Sequence, residues 1–175
     1  MIEVRQATVA DVPGIARVCS EGVRVTDGSQ NLAPPEAIEA GIELFYNHDR
    51  LIREVQDIND VQSGYFVAID TDLDQVVGAG CGGLTDLTTA ILYCLYLDPN
   101  RKREGIGSAL LKTITDDAIQ RGATLQWVHA TKGNEMGIPF YLAKGFEFAH
   151  WEPNTYLPGG GTDWVAKRNI GKEMD

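Results

Sequence analysis

The run TAILYCLYL at residues 89–97 constrains the fold more than any other stretch of this chain. It is rich in strand-forming residues, carries no charge and is apolar at odd and even positions alike, which predicts a central strand covered on both faces. A glycine-bearing loop follows, then a helical pattern in which Ile106, Ala109, Leu110, Ile114 and Ala118 share one face before Gly122 stops it. TLQWVHA reads as the next strand. Strand, helix and strand in that order predict a right-handed crossover between parallel neighbours, and hence an α/β sheet.

The flanking elements follow from the same periodicities. MIEVRQAT alternates as a short strand, Thr8 and Asp11 have capping-pair spacing, Pro13 sits in a first turn, and Val12, Ile15, Ala16, Cys19 and Val23 share a helical face. Residues 28–33 read as a loop. Pro34 and Pro35 open a second helix with Ile38, Ile42 and Phe45 on one face, and Leu51, Ile52 and Val55 mark a third. GYFVAID and VVGAGCGGL, around the turn TDLDQ, predict a hairpin. The glycines of its second strand, Gly78, Gly80, Gly82 and Gly83, mark bulges, a helix lying close on the strand, or the approach of a ligand. GIPFYLAKG reads as a helix, and FEFAHWE and DWVAKRNI, around PGGGT, as the last strands. The expectation is one mixed α/β domain over residues 1–175, three αβα layers with helices on both faces, frayed beyond Gly171.

With 175 residues and 43% apolar content the chain fills one core rather than two. No apolar run approaches the roughly 20 residues that span a bilayer, and the charged, proline-containing start is unlike a signal peptide, so the expected location is cytoplasmic. A formal net charge of −10 opposes nonspecific attraction to nucleic acid and to anionic membranes, and mildly favours a cationic substrate. Cys19, Cys81 and Cys94, odd in number and in apolar surroundings, suit buried free thiols. His48, His129 and His150 have no metal-ligand spacing, so no metal is expected.

The loop KREGIGS, residues 102–108, carries the first functional signal. Where a glycine-containing turn opens a helix, the first-turn amides have no intrahelical partner and point outward with the positive end of the helix dipole, ready to grip a phosphate. Gly105 and Gly107 admit an anion to the backbone while Lys102 and Arg103 add positive charge. A dinucleotide fingerprint would need a glycine at Leu110 and a P-loop one at Leu111, so both motifs fail. LYLDPNRKREGIGSALL resembles the acyl-CoA-binding motif of the GNAT family of N-acetyltransferases, with Leu95, Leu97, Pro99, Gly105 and Gly107 in register and Lys102 standing where that family usually has Arg or Gln. The resemblance implies that the backbone of residues 102–108 (Lys102, Arg103, Glu104, Gly105, Ile106, Gly107, Ser108) holds the pyrophosphate, and that Leu95 and Leu97 border the pantetheine arm.

NEMGIPFYLAKGF resembles the family's second signature, with Asn134, Gly137, Tyr141, Gly145 and Phe146 at its places. Pro139 leaves open whether the helix runs through Asn134 or starts near Ile138. An amine attacking a thioester expels a thiolate, and a phenol that stays protonated at neutral pH can donate to it, which makes Tyr141 the candidate general acid. The resemblance implies a GNAT-like fold with a partly splayed central sheet, acetyl-CoA as acyl donor, a primary amine of a small molecule or a peptide as acceptor, and a homodimer.

A base for the incoming ammonium is not evident. The central strand has no acidic residue, which leaves His129 and Glu21 as candidates. Cys94 is weighed as an acyl-enzyme nucleophile and set aside, because an apolar strand should raise its pKa; direct transfer in a ternary complex is expected. The rival readings are a non-catalytic acyl-CoA-binding or sensing domain, and an enzyme using KREGIGS for another nucleotide. Acceptor identity is assigned to residues 21–60 and 153–162, with Trp151, Tyr156 and Trp164 as a possible aromatic wall or as core or dimer contacts.

Overall fold

The computed structural model describes residues 1–155 and 159–171. Its elements run β1 (Ile2–Gln6), α1 (Val12–Val23), α2 (Pro35–Phe45), α3 (His48–Gln56), β2 (Phe66–Asp70), β3 (Gln75–Leu84), β4 (Thr89–Leu97), α4 (Ile106–Gln120), β5 (Leu125–Thr131), α5 (Gly137–Ala143), β6 (Glu147–Pro153) and β7 (Thr162–Asn169). The strands form one mixed sheet in the order β1-β2-β3-β4-β5-β7-β6, in which β4 and β5 are parallel and the other neighbours antiparallel.

Both faces of the sheet are covered, as expected. On one face Ile106, Leu110, Leu111 and Ile114 of α4 pack with Ala68, Val77, Leu92 and Val128. Each of those four helical side chains is at most 3% exposed and contributes roughly 1.5–3 kcal/mol by burial. On the other face Val12, Ile15, Val18 and Cys19 of α1 and Leu51 and Val55 of α3 cover Val67, Val76 and Ala79. Two glycines of β3 are explained by α4: a Cβ at Gly78 would lie 2.8 Å from a Leu110 methyl, and one at Gly80 2.8 Å from Ile114. At these two positions the strand is thinned to fit a helix, whereas Gly82 lines the cleft described below. Ala109, expected on the inward face of α4, is half-buried at its flank.

The start of α1 matches the expected capping pair, since the Asp11 carboxylate accepts the Thr8 N–H at 2.7 Å and the Arg5 guanidinium at 2.8 Å. Its end does not match. The chain stays helical beyond Val23, widening into a π-helical turn over Arg24–Gly28, so the expected loop begins later.

The central strand is interrupted. Cys81 faces Cys94 and Gly82 faces Leu92, which leaves Tyr93 as a bulged residue on β4. Parallel pairing with β5 covers only Thr89–Leu92 against Leu125–Val128, and from Tyr93 onward the two strands separate. The bulge also exchanges faces: Leu92 packs beneath α4 before it, Leu95 and Leu97 after it, while Cys94 and Tyr96 turn to α1. Tyr93 itself is 52% exposed, so the predicted covering on both faces holds for only part of this strand.

Candidate active site

A cleft of about 1350 Å³ opens where β4 leaves β5 and runs from the α4 loop through the gap to the face covered by α1 and α2. Its chemistry follows from which groups the gap leaves unpaired. The Asp98 N–H donates to Val77 O at 2.8 Å, which makes Asp98 a hydrogen-bonded position of the antiparallel β3–β4 pair. Such positions alternate, so Tyr96 is another, while Leu95 and Leu97 direct their backbone groups away from β3 into the gap. A partner that supplies amides, such as an extended amide-containing chain, would satisfy them.

At one end of the gap, α4 begins at Ile106 after Gly105, whose φ of +78° is a left-handed conformation natural to glycine. The first intrahelical hydrogen bond is Ala109 N–H to Gly105 O, so the amides of Gly105, Ile106, Gly107 and Ser108 have no acceptor within the helix. A Cβ at Gly105 would meet nothing within 4 Å, so the space over these amides is open. Ile106 offers only its amide, since its side chain is core. Lys102 and Arg103 are exposed at the rim, and together with Gly105, Gly107 and Ser108 they line the cleft. Glu104 does not join them, because its carboxylate is held by Arg101 at 2.7 Å, and Arg101 also grips Asp70 at 2.8 Å to anchor the loop on the sheet.

On the far wall, α5 starts at Gly137, so Asn134 lies in the preceding turn. There its Oδ1 accepts the N–H groups of Met136 at 3.1 Å and Gly137 at 2.9 Å. Tyr141 is 9% exposed, packed edge-on between Phe140 and Phe146, and no hydrogen bond among the described residues holds its hydroxyl. Burial pushes its pKa well above the usual phenol value, so the hydroxyl keeps its proton and remains a donor.

His129 is the first residue of β5 beyond the paired segment. Its Nδ1 lies 3.5 Å from Asp163 and 3.6 Å from Glu152. Glu21, the other expected base, is not brought to the cleft: it points to solvent from α1 and pairs with Arg17 at 3.6 Å. The carboxylate that does reach the cleft from this region is Asp27, carried in by the π turn. Burial, and secondarily the charge of Asp163, raises its pKa. Gln30, just beyond, donates to Thr26 O at 2.7 Å and to Asn134 Oδ1 at 3.2 Å and accepts from Glu135 N at 2.8 Å, clamping the π turn to the start of α5. Neither residue was anticipated, since an aspartate and a glutamine past a helix end look like turn residues.

Of the three aromatics weighed as an acceptor wall or as core or dimer contacts, the two described ones do not line the cleft. Trp164 is buried beneath the sheet, Trp151 lies outside the cleft under Lys132 at 5.1 Å, and Tyr156 is outside the described residues. Phe45, Tyr46, Tyr65 and Tyr93 line the groove instead. The cysteines, far apart in sequence, converge: Cys81 and Cys94 border the groove with their sulfurs 3.5 Å apart, and Cys19 lies behind them. Hydrogen bonds from Cys19 and then Cys81 hold the Cys94 thiol below the ordinary value, contrary to the expectation from its strand setting, while Cys19 and Cys81 are pushed up. Among the described residues no three His, Cys, Asp or Glu side chains form a metal-ligand group, and no helix is long and apolar enough to cross a membrane.

The family model for the acetyltransferase (GNAT) family matches residues 33–148, about two thirds of the chain. The chain belongs to the GNAT family. A curated relative, the [ribosomal protein bS18]-alanine N-acetyltransferase of Escherichia coli K12, is 33% identical over 77 residues, or 44% of this chain and 52% of the relative. The chain thus spans about half the length of the curated relatives it matches. Among solved structures, the PaiA N-acetyltransferase of Thermoplasma acidophilum in complex with coenzyme A superposes with a TM-score of 0.82 at 22% identity, covering 97% of this chain and 99% of that one. YncA of Salmonella typhimurium with its cofactor acetyl-CoA gives 0.73 at 16% identity, covering 100% and 96%. These likenesses establish the fold. The GNAT match contains the α4 loop and the whole Asn134–Phe146 motif, whereas Asp27 and Gln30 precede it.

Proposed function

We propose that this GNAT protein transfers an acetyl group from acetyl-CoA to a primary amine by direct attack in a ternary complex. The observation that carries the proposal is the gap at Leu92 and Val128, with outward-directed backbone groups at Leu95 and Leu97, amides at the start of α4 that have no acceptor within the helix, and a Tyr141 hydroxyl with no hydrogen bond among the described residues, all bordering one opening. These residues fit the donor. The α4 amides with Lys102 and Arg103 would hold its phosphates, and Leu95 and Leu97 would pair with the amides of its pantetheine arm. When bound it supplies the activated acyl carbon and the thiolate leaving group.

The chain's own residues supply the rest. Asp27 and Asp163 draw an ammonium into the groove, consistent with the net charge of −10. His129 receives its proton: Nδ1 faces the carboxylates of Asp163 and Glu152, and no hydrogen bond among the described residues occupies the opposite nitrogen, which would accept it. Tyr141 protonates the departing sulfur, a role worth about 10²–10⁴ in rate for a well-placed general acid. The proposal includes a homodimer through edge strand β6, where Phe148 and Trp151 are about half exposed; a monomer in sedimentation at micromolar concentration would remove that part.

The test is a calorimetric titration with acetyl-CoA followed by an assay of CoA release against a panel of primary amines. Binding, with turnover on at least one amine that Tyr141→Phe lowers, is the expected result. A folded protein that does not bind acetyl-CoA would overturn the reading.

A further inference from the structure

Cys81 and Cys94 stand directly opposite on β3 and β4, with Sγ atoms 3.5 Å apart. Counting in twos from the hydrogen bond at Asp98 makes theirs a hydrogen-bonded position, where Cα atoms lie about 5.5 Å apart. That separation is within the range a disulfide spans, so rotation of the side chains is enough to bring the sulfurs to bonding distance. Both residues border the groove, whereas Cys19 is fully buried on the inner face of α1. A small oxidant therefore reaches two thiols already aligned with each other and not the third.

We propose that Cys81 and Cys94 form a dithiol modification site on the floor of the acceptor groove, which low-molecular-weight disulfides convert to an intrachain disulfide. The Cys94 sulfur, the one stabilised by neighbouring thiol donors, attacks one sulfur of the small disulfide and expels the other as a thiolate. The Cys81 sulfur then attacks Cys94 Sγ and expels the second small thiolate. Two protein thiols are oxidised, one disulfide is reduced to two thiols, and the two protein protons end on those thiols.

The site lies where a covalent bond has consequences. Cys94 follows the bulged Tyr93 and precedes Leu95, and its sulfur is 3.7 Å from the Tyr65 hydroxyl on the groove wall. A bridge pins β4 to β3 beside the gap, turns both sulfurs toward each other and withdraws the thiol from Tyr65. Resting on the acetyltransferase reading, this alters the amine's side of the cleft and leaves the α4 loop untouched.

The full-length protein is incubated with oxidised glutathione, denatured, alkylated and weighed intact, with peptide mapping of any bridge. The expected result is a protein two hydrogens lighter that keeps one of its three alkylatable thiols, bridged Cys81 to Cys94 and restored by a thiol reductant. Cys81→Ser and Cys94→Ser each give no bridge. Oxidation raises the KM for the amine severalfold and leaves acetyl-CoA affinity, read by calorimetry, unchanged. Three alkylatable thiols, or a bridge containing Cys19, overturns the site; a bridge without change in amine KM overturns its link to the groove. Failure of the reduced protein to bind acetyl-CoA counts against the transferase reading instead, and the thiol count, which needs no turnover, still decides the site.

Discussion

Gln30 and Asn134 are joined by a 3.2 Å hydrogen bond across 104 positions of sequence. The bond ties the π turn bearing Asp27 to the turn that starts the Tyr141 helix, so the acceptor side and the donor side of the cleft share one strut. Gln30→Ala removes this bond and the one from Glu135 N–H. At about 1 kcal/mol for a typical bond, the amine KM should rise severalfold while acetyl-CoA affinity holds. Steady-state kinetics beside calorimetry checks the split.

Tyr141→Phe deletes a hydroxyl that has no partner among the described residues and keeps a ring packed against Phe140 and Phe146. Stability should stay unchanged, because the hydroxyl borders the open cleft and the ring keeps its packing. kcat should fall by about 10²–10⁴-fold. A matched drop in melting temperature would instead mark the hydroxyl as structural.

Asp27→Asn separates stability from activity. Burial and Asp163 raise the pKa of Asp27 in the folded state above its unfolded value, so its contribution to stability is full in acid and is lost as pH rises through the raised pKa. The Asn variant should therefore melt higher than the parent at neutral pH, with the gain disappearing as pH falls below that pKa. Turnover of cationic amines should fall. Thermal melts at several pH values test the first statement, and kinetics with a charged and an uncharged amine the second.

Gly105→Ala tests the anion site. A Cβ there has open space around it, so the cost to the fold is the left-handed backbone alone, about 1–2 kcal/mol. The left-handed turn sets the direction of the amides that follow it, so straining it should lower acetyl-CoA affinity at least tenfold. Calorimetry on the folded variant measures it.

Much of the fold was legible because its elements have clean periods: the α1 face, the hairpin, α4 and the crossover all follow from alternation or a 3.6-residue repeat. The α4 loop and the Asn134–Phe146 motif were legible as motifs, and the structure brings both to one cleft. What escaped was register. TAILYCLYL reads as apolar on both faces because the bulge at Tyr93 exchanges which positions point inward, so both parities had to be apolar. Asp27 escaped for a similar reason. A π turn shifts side chains around the helix axis, and no composition signal distinguishes it from a loop rich in turn residues. Glu21 lies only six positions earlier and faces solvent.

The bulge at Tyr93 makes β4 one residue too long for its neighbours. Without that residue, Leu92, Cys94, Leu95, Tyr96 and Leu97 would alternate without a phase slip, every inward side chain would keep its present face, and the strand could continue alongside β5. The shortened chain would be the better sheet and would have no gap for the cleft to open into. A single surplus residue thus exchanges ladder hydrogen bonds for an opening, so a one-residue deletion in this strand removes the gap that the residues of the candidate site border.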